Sequence, residues 1–215
     1  MSEICALSHL LFGELVPFAF PFEPTQLPRN GIYVLFEVGE YAHGVNRVVR
    51  VGTHTGNHQL RARLQQHFIK ENKDRSIFRK NIGRAILNRE NDPFIQQWEW
   101  DLTTRQAKDM YGHLVNWQKQ REVEAHVTQY VQGSFSFVVF EVLDSQERLR
   151  LESKIISTVS LCDECCPSDE WLGHHSPKAR IRESGLWLVN ELYKQPLSNL
   201  DYVTLERYVR EPNGL

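Results

Sequence analysis

Four residues, Tyr33, Arg63, His67 and Glu152, follow one another along this chain in an order suited to breaking a phosphodiester. That reaction needs a nucleophilic water, a group to take its proton, positive charge beside the developing phosphorane and help for the leaving oxygen. Tyr33 is the candidate base. A free phenol titrates near ~10, so such a site must surround it with a metal ion or cationic side chains. Arg63 offers a planar fork of donors that matches a phosphate. His67 lies one helical turn further on and shares that face, where it can orient Tyr33 or a phosphate. Glu152 supplies the hard oxygen that Mg2+ (or Mn2+) takes alongside waters and a substrate oxygen. Arg50 cannot be a base, because its guanidinium stays protonated; its place is that of a phosphate ligand or an electrostatic helper beside Tyr33. Singly, a strand tyrosine packs a core, a helix arginine is solvated and an early helix glutamate suits the helix dipole. Their ordered combination points to nucleic-acid cleavage.

The elements that must position these groups can be read from periodicity. GIYVLFEV (31–38) alternates like a strand and stops at Gly39, and a loop through Gly44 leads into a second strand over 47–53. So short a connection predicts an antiparallel hairpin. Thr55-Gly56-Asn57 is turn chemistry before a helix over 58–70, which carries Arg63 and His67. Ser76 caps a helix over 77–89. Residues 94–102 fit strand and helix equally. Residues 104–132 read as one long helix with a weak point at Gly112. FSFVVFEVL (135–143) is a third strand, and Asp144 caps the helix that holds Glu152. The proline-rich 14–30 reads as an extended lead-in, and 199–210 as a last amphipathic helix. With no repeat or low-complexity linker, one domain over 1–215 is expected: a lead-in arm to residue 30, a core over about 31–160 and a C-terminal extension over 161–215.

Composition sets limits. The chain has 215 residues, 41% of them hydrophobic, enough for one good core. No apolar run reaches the ~20 residues of a membrane span, and the N-terminus lacks a signal-peptide pattern. A cytoplasmic protein without a membrane partner is the expectation. The net charge of −2 hides an asymmetry: residues 47–89 hold eleven Lys or Arg against two acids, Glu71 and Asp74. Such a stretch reads as a surface that meets a polyanion, with Arg61, Lys70, Arg79, Lys80 and Arg84 as backbone contacts. Lys178, Arg180 and Arg182 form a second cluster. Trp171 and Trp187 read as core. Cys162, Cys165 and Cys166 sit in LCDECCPSDEWLGHH with His174 and His175, while Cys5 stands apart. A Cys-x-x-Cys beside histidines can hold zinc, but a structural site shows two separated ligand pairs and one is visible. Reduced thiols in a turn are therefore preferred over zinc.

Gly31-Ile32-Tyr33, Arg50-Val51-Gly52, Arg63 in LRARLQQH, His67, and Glu152 in LESKII together resemble the motifs of the GIY-YIG nuclease family over roughly residues 29–160. The first tripeptide is intact; the second has Arg50-Val51-Gly52 where the family usually has Tyr-Ile-Gly. VVRVGTHT, SIFRKNIGRAIL and IRESGLWLVN look like a bacterial subgroup. The resemblance implies an α/β (α+β) fold, a three-stranded antiparallel sheet flanked by helices. It also implies one divalent metal at Glu152 and cleavage of double-stranded DNA by a water that Tyr33 activates. Asn190 stands where some members contribute a polar residue from beyond the metal helix. Cutting both strands would call for a homodimer or two successive nicks. Two rival readings are a DNA-binding module that has lost catalysis and a zinc-stabilised interaction protein.

Overall fold

In the computed structural model, which describes residues 2–211, four strands form one antiparallel sheet. They are β1 (Phe18–Ala19), β2 (Ile32–Ala42), β3 (Val45–Gly52) and β4 (Phe135–Phe140), in the order β1-β4-β2-β3. The expected strand count of three is thus corrected to four. The addition, β1, lies in the lead-in and pairs Phe18 with Phe137; two residues are too few to show an alternation. β2 and β3 are longer than their patterns suggest and meet at His43-Gly44, both with positive φ (52° and 78°). That two-residue turn has the twist that suits an antiparallel hairpin.

β2 is the central strand, and Ile32 to Phe36 are all buried. Its two faces feed different cores. Ile32, Val34 and Phe36 pack into one with α1 (Ser2–Gly13), α7 (Ser145–Ser160) and α9 (Asn199–Arg210). Tyr33 and Leu35 pack into the other with α2 (Leu60–Phe68), α3 (Ile77–Arg89) and α6 (Trp117–Ser134). Smaller helices, α4 (Ile95–Trp98), α5 (Arg105–Tyr111) and α8 (Ala179–Ser184), complete the shell. Ser76 and Asp144 cap α3 and α7 as their sequence positions require, each accepting the amide three residues on. The long helix expected over 104–132 is two, α5 and α6. Gly112 ends the first and Asn116 caps the second. Among the described residues, no helix is long and apolar enough to cross a membrane.

The basic stretch is not a basic face. α3 is buried at ten consecutive positions, Phe78 to Leu87, and a buried charge is costly unless it is paired. Arg79 donates to the Glu124 carboxylate from Nε (3.2 Å) and Nη2 (2.8 Å). Lys80 donates to the Glu99 carbonyl at 2.8 Å and lies 3.6 Å from Asp74. Arg84 grips the Glu99 carboxylate, and Arg47 and Lys73 pair with Glu40 and Asp74. The expectation that Arg79, Lys80 and Arg84 present themselves to a nucleic-acid backbone is therefore corrected: acids distant in sequence neutralise them inside the fold. Arg61, half-buried, donates to the carbonyls of Leu27 (2.8 Å) and Thr25 (3.0 Å) and pins the lead-in instead. Lys70, Lys178, Arg180 and Arg182 are exposed. Trp171 and Trp187 are buried, and both indoles donate to Glu37, at 2.9 and 2.7 Å.

Candidate active site

The end of β3 and the second turn of α7 meet at a hydrogen bond: the Thr53 amide donates to Glu152 Oε1 at 3.0 Å. Two strand positions earlier than Gly52, Arg50 is buried against the Phe78 ring, its Cζ 5.4 Å from the ring centre. Its Nη1 donates to the Trp187 carbonyl, while the Trp187 amide donates to the Val49 carbonyl at 2.8 Å. These bonds lay the segment after α8 along β3 and carry Asn190 and Glu191 into place. A cavity of about 420 Å³ results, with Arg50, Arg63, Asn81, Glu152, Asn190 and Glu191 in its walls. The fold thus gathers four residues singled out from sequence (Arg50, Arg63, Glu152 and Asn190) from β3, α2, α7 and the C-terminal extension.

The residues lining the cavity include an acid kept from ionising easily and two that keep a buried donor with nothing to donate to. Burial pushes the Glu152 carboxyl up to about 6, with Arg50 and the Thr53 amide pulling the other way. Arg50 Nε and Asn81 Nδ2 are buried without a partner. Leaving such a donor unmet costs about 1–3 kcal/mol, so an acceptor at this point would be strongly favoured. Asn81 is fixed this way round because its Oδ1 accepts from Arg84 at 2.6 Å. Arg84 and Glu99, read from sequence as surface charge in the first case, therefore position a polar group on the cavity wall. Arg63 stands at the rim, partly exposed, with weak bonds to Gln66 Oε1 (3.3 Å) and the Arg75 carbonyl (3.2 Å).

A divalent cation fits the acidic side of this donor set. Both Glu191 oxygens are engaged, by Ser153 and by Lys194 at 2.7 Å, which leaves Glu152 as the available carboxylate. One carboxylate completed by waters and a phosphate oxygen is how Mg2+ is commonly held. A cation there would also offset the penalty that raises Glu152.

Tyr33 and His67 stand behind this cavity rather than in its wall; both are fully buried. Tyr33 Oη lies 2.8 Å from His67 Nε2, and His67 Nδ1 lies 2.7 Å from Ser76 Oγ. Burial, reinforced by Arg50, Arg63 and Arg79, pushes His67 well below its ordinary range and keeps the ring neutral. Ser76 Oγ already accepts the Arg79 amide at 3.2 Å, and its own buried hydrogen needs an acceptor. The neutral ring carries one proton, so His67 donates to one of these two hydroxyls and accepts from the other. The phenolic oxygen packs directly on Gly52, where an added Cβ would come within 2.2 Å of it. The third letter of the second tripeptide is glycine because the Tyr33 ring occupies the space any side chain would take.

Asn81 was missed by sequence reasoning, although a signal exists. It lies on helical spacing with Phe78 and Ala85, a polar residue set into an apolar stripe. A family model described as a GIY-YIG domain matches residues 18–213. The chain belongs to the GIY-YIG domain family. That membership points to a nuclease-type function in general, with DNA as the family's partner and a divalent metal its usual requirement. The match extends past residue 160, so in this GIY-YIG chain the C-terminal wall of the cavity, Trp187 to Glu191, lies within the matched domain. No curated protein and no solved structure matches the chain.

Proposed function

We propose that this GIY-YIG protein is a metal-dependent DNA endonuclease whose active site is the cavity between β3, α2, α3 and α7. The observation that carries the reading is one cavity lined by Glu152 and by two residues, Arg50 and Asn81, that each keep a buried donor without an acceptor, Nε and Nδ2. An anion rich in oxygen supplies what those donors lack, and a phosphodiester is such an anion. Glu152 would hold Mg2+ or Mn2+. When bound, the ion polarises the phosphate and acidifies a coordinated water. Arg63, at the rim, takes a non-bridging phosphate oxygen in its fork, and Arg50 and Asn81 meet the charge that builds as the phosphorane forms. Tyr33, which lies behind the cavity wall with its hydroxyl on His67 Nε2, is the proposed acceptor of the water's proton. That role requires the wall to open when substrate binds, and Ser76 holds the His67 ring from its other side. Asn190 contributes a further polar contact from the C-terminal wall. Exposed Lys70, Lys178, Arg180 and Arg182 would meet the DNA backbone outside the cavity.

Two observations favour a second reading, a DNA-binding module without catalysis: Tyr33 is fully buried, and Arg50 replaces the second-motif tyrosine. Incubating the protein with supercoiled plasmid, phage DNA and branched DNA, each with Mg2+, Mn2+ or EDTA, separates the two. Metal-dependent nicking supports the nuclease, and the preferred substrate separates restriction of foreign DNA from repair. Binding without any cleavage would establish the module instead.

A further inference from the structure

Far from the cavity along α7, the fold collects sulfur and imidazole from three distant parts of the chain. Cys5 and His9 lie one turn apart on α1, His43 is the first residue of the β2–β3 turn, and Cys162 and Cys165 lie in the loop after α7. Cys5 Sγ is 3.5 Å from Cys165 Sγ, and His43 Nε2 is 3.4 Å from Cys165 Sγ and 3.5 Å from Cys162 Sγ. A tetrahedral zinc ion, with bonds of ~2.3 Å to sulfur and ~2.0–2.1 Å to nitrogen, sets its sulfurs about 3.8 Å apart and sulfur and nitrogen about 3.6 Å apart. These three separations are those of such a tetrahedron, closed by a few tenths of an ångström, and the ligand atoms of Cys5, His9, His43 and Cys165 all lie within 4.8 Å of one another.

The surroundings are those of a ligand set as well. His43 Nδ1 lies 3.4 Å from the Glu164 carboxylate, a neighbour able to orient the ring with Nε2 toward the sulfurs. The Cys165 amide donates to the Cys162 carbonyl at 3.2 Å. The Cys-x-x-Cys loop is thereby curled so that both sulfurs point one way. The imidazole of His43 reaches the cluster only because its backbone adopts φ +52°, a conformation that a non-glycine residue rarely takes. His9 is spoken for: Nε2 accepts the Val48 amide at 3.2 Å and Nδ1 faces the Cys5 carbonyl at 2.9 Å. Cys166 turns outward, and His174 bonds the Ser168 carbonyl elsewhere.

We propose that Cys5, Cys162, Cys165 and His43 form a structural zinc site, with Glu164 orienting His43 and His9 supporting the sulfurs from behind. Its role is to clamp the N-terminal helix and the tip of the β2–β3 hairpin to the loop that follows α7. Four protein ligands close the coordination sphere, so this ion takes no part in chemistry. It is also separate from Glu152, which lies eight residues of helix, ~12 Å of rise, before the end of α7. Sequence reasoning put zinc aside because only one ligand pair was visible. The second pair is Cys5 and His43, residues 38 apart that no spacing rule connects.

The test measures metal, not cleavage, so it stands apart from the nuclease reading. The full chain, purified under reducing conditions without chelator, is expected to carry one zinc per molecule by elemental analysis, released when an organomercurial titrates its thiols. Exchange for Co2+ should give the intense visible bands of a tetrahedral site together with thiolate-to-cobalt charge transfer. Cys165→Ser and His43→Ala should lose the ion, Cys166→Ser should keep it, and Glu164→Gln should weaken binding about 10-fold. Removing zinc should lower Tm by at least about 5 °C. The cobalt spectrum is read on the native chain, so it decides the matter even where a variant fails to fold. Absence of metal after reconstitution with Zn2+, an octahedral cobalt spectrum, a Cys5–Cys165 disulfide in its place, or full zinc retention by a Cys5→Ser/Cys165→Ser double variant would each overturn the proposal.

Discussion

Arg84 donates to the side-chain oxygen of Asn81 at 2.6 Å, and this bond leaves the amide nitrogen of that cavity-lining residue buried with no acceptor. A fold that keeps a buried donor unmet gives up stability at that point, and the loss is explained if a ligand completes the bond. Asn81→Asp, which keeps the oxygen that Arg84 needs and removes the orphan donor at nearly the same volume, is expected to change stability by no more than about 1 kcal/mol. The same variant should slow DNA cleavage by roughly 10- to 100-fold, the worth of one or two hydrogen bonds to a charged group. Urea denaturation beside a cleavage assay checks both halves. A parallel fall in stability and activity would make Asn81 a packing residue.

Glu152 makes a prediction in pH. Its folded-state value, about 6, lies above the ordinary 4.5, so the fold favours the protonated acid. The stability this confers is present below about 4.5 and is lost as pH rises through about 6, a difference of about 2 kcal/mol at most. Glu152→Gln, neutral throughout, should match the native chain at pH 4 and exceed it at pH 8 by up to that amount. Adding Mg2+ at pH 8 should stabilise the native chain and leave Glu152→Gln unmoved. Thermal or urea midpoints at the two pH values, with and without the ion, measure this directly.

The contact between Tyr33 and Gly52 can be tested by coupling. A Cβ on Gly52 would collide with the Tyr33 hydroxyl at 2.2 Å and with Cζ at 2.3 Å. Gly52→Ala should cost about 2–4 kcal/mol, since neither the strand nor the ring can yield easily. In the Tyr33→Ala background the same substitution should cost far less, giving a coupling of about 1–3 kcal/mol in a double-mutant cycle. Additive effects would show that Gly52 is needed for some other reason.

Most of the fold could be read from the chain, and the failures have identifiable causes. Ser76 and Asp144 announce their helices because a cap is a local bond between residues three apart. Gly112 marked the break in the expected long helix, where its missing side chain weakens the turn. β1 escaped notice because Phe18 and Ala19 become a strand only through pairing with β4. The charge-rich stretch misled for a related reason. Arg79 and Arg84 look like surface until Glu124 and Glu99, 45 and 15 residues away, are brought to them. Arg50, Arg63, Glu152 and Asn190 were found by motif, but their shared cavity depends on how Trp187 is tied to Val49 and Arg50, which no local pattern records.

That burial of charge predicts how binding responds to salt. Arg79→Ala breaks a buried pair and should cost about 3–5 kcal/mol of stability. At temperatures where the variant stays folded, the salt slope of DNA binding should not change. A Lys178→Ala/Arg180→Ala double variant should do the reverse, keeping its stability and flattening the slope by roughly one unit per lost phosphate contact. Fluorescence anisotropy over a salt series, beside thermal melts, distinguishes the two classes of cation. A flattened slope for Arg79→Ala would place it back at the DNA surface.

The most direct measurement is the single-turnover nicking of supercoiled plasmid by the native chain, Glu152→Ala and Arg63→Ala, each with Mg2+ and with EDTA, with DNA affinity measured in parallel. Nicking that requires the ion, and that falls by at least about 100-fold in both variants while DNA binding and thermal stability hold, is the predicted result. Equal nicking by the native chain and Glu152→Ala, or nicking undiminished by EDTA, would contradict a metal-dependent active site at Glu152.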